Sequence, residues 1–269
     1  MNTQYFMVAD VNKEWALILG GSSGLGLATA KKLALHGYNI IIIHRDRKSD
    51  LDDITLQFKK ITSNSVMLKS FNVDVVNAEK RERTITEIHS ILEGRKAIKV
   101  LVHSIAKGNL KPMHAEGQTT LNRMDFEVTL NAMALSLYDW TKALVDKGLF
   151  SEDARIVSFT SEGSTKAWAG YAAVSAAKAT LEALTRSIAL EFSSLGIKAN
   201  CIQAGTTDTK AFRMIPSHEA IKESALQRNP NNRLTTPEDV ANAVYLLTTD
   251  EARWITGTII KVDGGESLR

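Results

Sequence analysis

The sequence has little cysteine, little proline and no long hydrophobic run, and each absence excludes a class of protein. Its 269 residues include one cysteine and four prolines. One cysteine cannot form a disulfide within the chain and suits a reducing compartment. No stretch approaches the ~20 consecutive apolar residues of a membrane span, and no basic segment followed by an apolar one marks a secretory signal at the N-terminus. These absences predict a cytoplasmic protein with no membrane partner.

Charge and histidine placement exclude two further function classes. The net charge is only +3 and the basic residues are scattered, so we expect no nucleic-acid partner. The six histidines lack the spacing of metal ligands, so we expect no metal. Neither a repeat nor a Pro/Gly/Ser-rich linker divides the chain. We therefore expect one domain over residues 1–269, in which residues 1–13 form a short N-terminal arm.

A glycine-rich segment follows the first predicted strand. The apolar run at residues 15–19 is typical of a buried strand, and residues 27–34 place apolar side chains at helical spacing. Glycines between a strand and a helix let the backbone approach a pyrophosphate, whose charge lies on the N–H groups at the helix N-terminus. The residues expected to bind it are Gly20, Ser22, Ser23, Gly24, Leu25 and Gly26.

The second predicted strand, residues 39–43, ends in a basic tip. Arg45, Arg47 and Lys48 surround a single aspartate there. In a dinucleotide-binding sheet this tip meets the adenosine ribose, where an acidic residue favours NADH and basic residues favour the 2′-phosphate of NADPH. We therefore expect NADPH, bound by Arg45. A solvated charged loop is the competing explanation, above all for Arg47 and Lys48.

Strand and helix patterns alternate along the rest of the chain. Further strands are expected near residues 66–71, 99–106, 155–160, 198–203 and 258–262, and helices near residues 50–61, 79–92, 126–143, 171–192, 218–227 and 237–248. This alternation predicts an α/β fold, a single-domain doubly wound (Rossmann) parallel sheet of about seven strands with helices on both faces.

Such sheets bind ligands at the carboxyl ends of their strands. Small residues follow two predicted strands at that edge and suit close approach to a cofactor; they are Ser104, Ile105, Ala106, Gly205 and Thr207. The irregular segment 206–233 follows the sixth strand and is a candidate substrate lid, although an ordinary surface excursion is also open.

Tyr171 and Lys178 lie seven residues apart in an Ala-rich helical pattern. Seven residues make almost two helical turns, so both side chains are expected on one helix face with Val174 between them. A phenol and an ammonium placed in this way can act on one bound molecule. An aromatic at a helix start and a solvated lysine form the alternative explanation.

Five separated motifs resemble the short-chain dehydrogenase/reductase superfamily. They are the glycine segment 20–26, Asp74-Val75, Asn131, Ser161 upstream of Lys178, and the terminal Val-Asp-Gly-Gly at 262–265. The resemblance implies that Lys178 holds the nicotinamide ribose, that Asp74 and Val75 meet the adenine, and that Asn131 supports a proton-conducting water. It also implies a homotetramer, or a dimer.

The chain departs from the ordinary family pattern at one place. The family's tyrosine stands four residues before the lysine, where this chain has Val174, and a valine cannot donate a proton. Tyr171, at the wider spacing, resembles the tyrosine of the enoyl-acyl-carrier-protein reductases, as does the segment 102–106. The compact glycine loop and Ser161, ten residues before Tyr171, are similar to the NADPH-dependent branch of those enzymes.

The resemblance implies reduction of an enoyl thioester of acyl-carrier protein or coenzyme A, with Tyr171 and Lys178 as catalytic residues. Ser161 either binds substrate or caps the strand end. The acyl chain is expected under the lid segment, against Ala211, Phe212, Met214 and Ile215. Two alternatives stay open: a dienoyl-coenzyme-A or carbonyl (3-oxoacyl) reductase of the same superfamily, and a catalytically degenerate NADPH-binding protein.

Overall fold

Seven parallel strands form one sheet in the computed structural model, which describes residues 13–269. The expected N-terminal arm therefore lies, apart from Lys13, outside the described residues. The strands are β1 Trp15–Leu19, β2 Asn39–His44, β3 Leu68–Asn72, β4 Ile98–His103, β5 Phe150–Thr160, β6 Lys198–Ala204 and β7 Ile259–Val262. Their order is β3-β2-β1-β4-β5-β6-β7. The predicted doubly wound parallel sheet is confirmed.

Helices connect these strands in the described part of the chain. They are α1 Gly24–Leu35, α2 Leu51–Thr62, α3 Ala78–Ile91, α4 Arg123–Leu130, α5 Ser136–Asp146, α6 Ala172–Glu191, α7 His218–Arg228 and α8 Pro237–Thr248. The strand order reverses between β1 and β4, so the loops after these two strands separate and open a crevice at the carboxyl edge of the sheet.

The first strand explains why both faces of the sheet are covered. Its five residues are all buried and apolar, so the sequence shows no alternation. In the structure, Trp15, Leu17 and Leu19 pack into a core with residues of α3, α5 and α6, whereas Ala16 and Ile18 pack into a second core with residues of α1, α2 and α8. A strand between two helical layers must be apolar throughout.

The predicted helix at residues 126–143 is divided in the structure. It begins earlier because Asn122 and Asp125 form a reciprocal capping box at the start of α4. Between α4 and α5, residues Asn131–Leu135 form a turn of π-helix. Such an insertion rotates the side chains that follow it relative to a regular helix, so faces read from a 3.6-residue period do not carry across it.

Two other predicted boundaries move for identifiable reasons. Strand β5 begins at Phe150 rather than at Arg155, because Phe150 pairs with Ile98 of β4 across a polar segment. Tyr171 is not helical: it precedes α6 as its N-cap residue, with φ −108° and ψ 1°. Its side-chain direction therefore does not follow from helical spacing.

Cys201 lies fully buried in β6, beside Ser158 and Thr185. Within residues 13–269, none of the helices has the length and apolarity that a membrane crossing demands.

Candidate active site

A cavity of about 620 Å³ opens at the carboxyl ends of the strands. It is lined by all the residues predicted for the cofactor and the reaction except Gly26 and Asn131. Residues far apart in the sequence meet there because parallel strands present all their carboxyl ends at one edge.

The glycine loop forms one wall of the cavity and depends on the absence of side chains. Gly20 has φ +84°, and a Cβ on it would lie 2.3 Å from the carbonyl oxygen of Ser104. A Cβ on Gly26 would lie 2.2 Å from the carbonyl oxygen of Gly20, so Gly26 supports the loop from behind rather than lining the cavity.

The loop leads into the N-terminus of α1. Ser23 precedes the helix in extended conformation, and its side chain makes no capping hydrogen bond to the first turn. The N–H groups at a helix start have no partner within the helix and attract anions. Together with the close backbone packing, this arrangement fits the pyrophosphate of a dinucleotide.

A cluster of one carboxylate and two cations lies further along the same wall. Asp74 Oδ2 accepts a hydrogen bond from Arg45 Nη1 at 2.9 Å and from Lys107 Nζ at 3.3 Å. Burial alone would raise the pKa of Asp74, but the Val76 amide, Lys107 and Arg45 together lower it. The Arg45 side chain is 58% exposed, so it can reach a phosphate at the cavity rim.

Lys178 enters the cavity floor from α6. Its Nζ donates a hydrogen bond of 2.6 Å to the carbonyl oxygen of Phe159, near the end of β5. The residue is only 8% exposed. Burial lowers the pKa of Lys178 to about 8, and Cys201 and Glu182 oppose this shift. Lys178 is therefore a buried, seated cation near neutral pH, and the solvated alternative is wrong.

Tyr171 lines the cavity, and its hydroxyl lies beside Ser161. The Tyr171 hydroxyl lies 3.5 Å from Ser161 Oγ, and burial raises the pKa of the phenol despite this contact. The ring packs against Trp168, with 5.2 Å between ring centroids. It also fits over Gly163, where a Cβ would lie 2.4 Å from Tyr171 Cε1. The ring position is thus determined by its neighbours in the loop before α6.

The position four residues before Lys178 belongs to an apolar wall. Val174 is buried with Met133 and Ala177, and Leu110 and Ile215 pack around them. Gly108 allows this contact, since a Cβ there would lie 2.6 Å from Val174 Cγ2. An apolar wall can hold hydrocarbon and offers no proton donor.

Asn131 is not brought into the cavity. It begins the π-helical turn and its side chain is exposed. Thr129, two residues earlier, is fully buried, and its Oγ1 accepts a hydrogen bond from the backbone amide of Asn109 at 3.1 Å. The water-supporting role implied for Asn131 stays a prediction.

Ion pairs connect the predicted lid segment to the cavity wall, and the sequence did not predict them. Arg228 of α7 donates to the Glu162 carboxylate at 3.1 Å and to Glu266 at 3.1 Å. The Glu266 carboxylate also accepts from the Thr206 amide and hydroxyl, at 2.9 and 2.8 Å. Glu162 and Glu266 are buried, and both line the cavity. The sequence offered one signal for each: Glu162 directly follows Ser161, and Glu266 directly follows the terminal glycines.

The sequence model of the family described as Enoyl-(Acyl carrier protein) reductase matches residues 20–267. The chain belongs to the short-chain dehydrogenase/reductase superfamily. The superfamily resemblance read from the five motifs is confirmed, and the protein is an oxidoreductase of this superfamily.

Several superfamily members are similar over nearly the whole chain. The (2S)-[(R)-hydroxy(phenyl)methyl]succinyl-CoA dehydrogenase subunit BbsD of Thauera aromatica is 27% identical over 94% of this chain and 96% of its own. The 3-oxoacyl-[acyl-carrier-protein] reductase MabA of Mycobacterium tuberculosis is 27% identical, covering 94% and 92%. The crystal structure of an enoyl-[acyl-carrier-protein] reductase (NADH) from Aquifex aeolicus superposes with a TM-score of 0.81 at 23% identity, covering 97% and 99%.

Proposed function

We propose that this superfamily member is an NADPH-dependent enoyl-thioester reductase that saturates a trans-2-enoyl chain in fatty-acid synthesis. One observation carries the proposal: the ordinary tyrosine position is filled by Val174 in an apolar wall, while Tyr171 lines the cavity with its hydroxyl beside Ser161. A carbonyl reductase needs a proton donor at the carbonyl oxygen that becomes the alcohol. An enoyl reductase needs a donor for the thioester oxygen of an enolate.

The glycine loop, the start of α1 and the Arg45–Asp74–Lys107 cluster would hold NADPH, which supplies a hydride to the β-carbon when bound. Arg45 would leave Asp74 and bind the 2′-phosphate instead. That contact is stronger, because guanidinium and phosphate pair in bidentate geometry. The Aquifex enzyme is named for NADH, so the NADPH preference rests on the residues of this chain.

Tyr171 would donate a hydrogen bond to the substrate carbonyl and stabilise the negative charge that develops on its oxygen. A proton from solvent at the α-carbon of this enolate would complete the reduction. Burial disfavours the phenolate, so the hydroxyl keeps its proton for donation. Lys178 would add a buried positive charge on the same side of the substrate. Removing one such placed donor costs ~3 kcal/mol of transition-state stabilisation, or a factor of roughly 100 in rate.

The apolar side chains of the lid segment support an acyl substrate. Ala211, Phe212, Met214 and Ile215, predicted as acyl contacts, all line the cavity, together with Trp168. Hydrocarbon from an acyl-carrier-protein or coenzyme-A thioester would displace water from these surfaces at ~25 cal/mol per Å² of apolar area buried.

A 3-oxoacyl reductase remains the second candidate because one observation favours it. Ser161 Oγ lies 3.5 Å from the Tyr171 hydroxyl, so the two hydroxyls could bind one ketone oxygen. The relative MabA is named as a 3-oxoacyl reductase.

The deciding experiment measures NADPH oxidation with crotonyl and acetoacetyl thioesters side by side. Turnover of the crotonyl substrate alone is expected. Turnover of the acetoacetyl substrate alone would favour the second candidate, and turnover of neither would favour a degenerate NADPH-binding protein. Tyr171→Phe should lower the crotonyl rate by roughly 100-fold. A Tyr171→Phe enzyme with full activity would remove Tyr171 from the mechanism.

A cytoplasmic homotetramer, with a dimer as the alternative, is part of the same proposal. Exposed apolar side chains on and between α4 and α5 support it: Met124, Val128, Leu135 and Tyr138. Residues of this kind are enriched where copies of a chain pack together. Light scattering coupled to size-exclusion chromatography measures the assembly directly.

A further inference from the structure

A second buried charge lies one helical turn beyond Lys178. Glu182 of α6 is 7% exposed. Its Oε1 accepts a hydrogen bond of 2.5 Å from Thr160 Oγ1. Thr160 is the last residue of β5 and lines the cavity. The carboxylate is therefore held at the strand end that leads into Ser161.

Lys178 and Glu182 reach the same strand end from one face of α6. Residues four apart in a helix lie side by side, and these two bind neighbouring residues, the Phe159 carbonyl and the Thr160 hydroxyl. Burying either charge alone is unfavourable, because each loses its hydration. Opposite charges buried together offset part of that cost.

The other titratable groups near Lys178 carry no charge at neutral pH. Cys201 of β6 acts on the Lys178 pKa, but burial raises the pKa of the Cys201 thiol, so it stays protonated. His103 of β4 is fully buried and its pKa is lowered to about 3 by burial and by Lys178, so it stays neutral. Among residues 13–269, the groups that act on Lys178 include one source of negative charge, Glu182.

We propose that Glu182 is a positioning residue for the reaction: its buried carboxylate, tethered by Thr160, is the counter-charge that keeps the Lys178 ammonium seated at the Phe159 carbonyl and facing the cofactor. This role rests on the proposed function only in its use of Lys178 at the bound nicotinamide nucleotide. It is independent of the thioester that is reduced.

The first test compares Glu182→Gln with Glu191→Gln, the same substitution at an exposed position of α6. NADPH affinity is measured by nucleotide fluorescence across the pH range. The loss of NADPH affinity at alkaline pH should begin about one pH unit lower in Glu182→Gln than in the unchanged protein. At a given alkaline pH this corresponds to a roughly tenfold weaker affinity. Glu191→Gln should follow the unchanged protein. An identical pH profile for Glu182→Gln would overturn the proposal.

The second test is a double-mutant cycle read by chemical unfolding, which needs no activity. Glu182→Gln should lower the unfolding midpoint of the unchanged protein, because Lys178 loses its counter-charge. In a Lys178→Met background the same substitution should raise the midpoint, because it then removes an uncompensated buried charge. Additive midpoints would overturn the proposal. If neither thioester is reduced but the midpoint shift caused by Glu182→Gln has opposite signs in the two backgrounds, the proposed function fails and the role of Glu182 stands.

Discussion

The two ends of the cavity are built by different physical means. The cofactor end consists of a glycine loop and strand termini, which pack closely through their backbones, and of Lys178 on α6, which is buried and bonded to the Phe159 carbonyl. The end proposed to bind the acyl chain, here named the acyl end, is lined by residues of segment 206–233, which Arg228 joins to two carboxylates. Close backbone packing is insensitive to salt, whereas ion pairs weaken with added salt to the extent that they are exposed.

The acyl end also carries ion pairs within the lid segment itself. Asp208 accepts from Arg213 at 2.6 Å and from Lys222 at 3.1 Å, which joins the turn after β6 to α7. These pairs are partly exposed, unlike the carboxylates that bind Arg228. The comparison predicts that perturbations of the cofactor end change chemistry, and perturbations of the acyl end change substrate binding and local stability.

The largest expected effect is the pH response of the cofactor end. With a pKa of about 8, Lys178 loses its proton as the pH rises, and the enoyl reduction rate should fall up to ~10-fold per unit above that value. Stability should move the other way. The pKa of Lys178 in the folded protein lies below the ordinary lysine value of 10.5. Between these two values the unfolded chain binds more protons, so the Lys178 contribution to stability rises with pH.

Rate profiles and unfolding midpoints, measured on the same samples, check both directions. Lys178→Met should remove this contribution to the rise in stability. Hydrogen bonds from Arg213 and Lys222 lower the pKa of Asp208 to about 2. Asp208 at the acyl end should therefore contribute nothing to the fall in rate at alkaline pH. A rate that stays constant to pH 10 would contradict the assignment of Lys178.

Arg228→Met should give the largest effect at the acyl end. It leaves two buried carboxylates without their shared cation, although Lys166 still contacts Glu162. Because Arg228 is partly exposed, we expect a loss of roughly 2–3 kcal/mol, below the 3–5 kcal/mol of a fully buried pair. Chemical unfolding measures the stability. In steady-state assays KM for the enoyl thioester should rise while NADPH affinity changes little, and an equal loss of both would show that the two ends are not independent.

Gly163→Ala should affect chemistry without removing any polar group. The new Cβ would meet the Tyr171 ring at 2.4 Å, so the ring must shift. Trp168, which packs against the ring, restricts that shift. Overpacking of this kind costs about 1–3 kcal/mol, and we expect a roughly tenfold lower kcat. In a Tyr171→Ala background the added methyl meets no ring, so kcat should fall no further; an equal loss in both backgrounds would place the effect elsewhere.

The sequence predicted the cofactor end more completely than the acyl end for a physical reason. Glycines such as Gly20 and the apolar runs of the strands are local signals of parallel-sheet geometry. The cofactor-binding motifs lie directly after these strands, so the strands locate them. Arg228, Glu162 and Glu266 are common charged residues, and their meeting depends on how α7 returns to the sheet. The helix predicted at residues 126–143 is interrupted because Asn131–Leu135 form a π-helical turn. The position of the Tyr171 ring is set by Gly163 and Trp168, in the segment before α6.

Asp208→Asn should give the smallest effect and separates the exposed ion pairs of the acyl end from the buried ones. The substitution keeps a hydrogen-bond acceptor for Arg213 and Lys222 but removes the charge, and exposed ion pairs contribute little in water. We expect KM for the enoyl thioester to rise by a factor below about 5, with unchanged NADPH affinity. High salt screens exposed charges, so the unchanged protein should approach the variant's KM as salt is added. A rise as large as that of Arg228→Met would mean that the exposed pairs, and not the buried cluster, hold the lid segment.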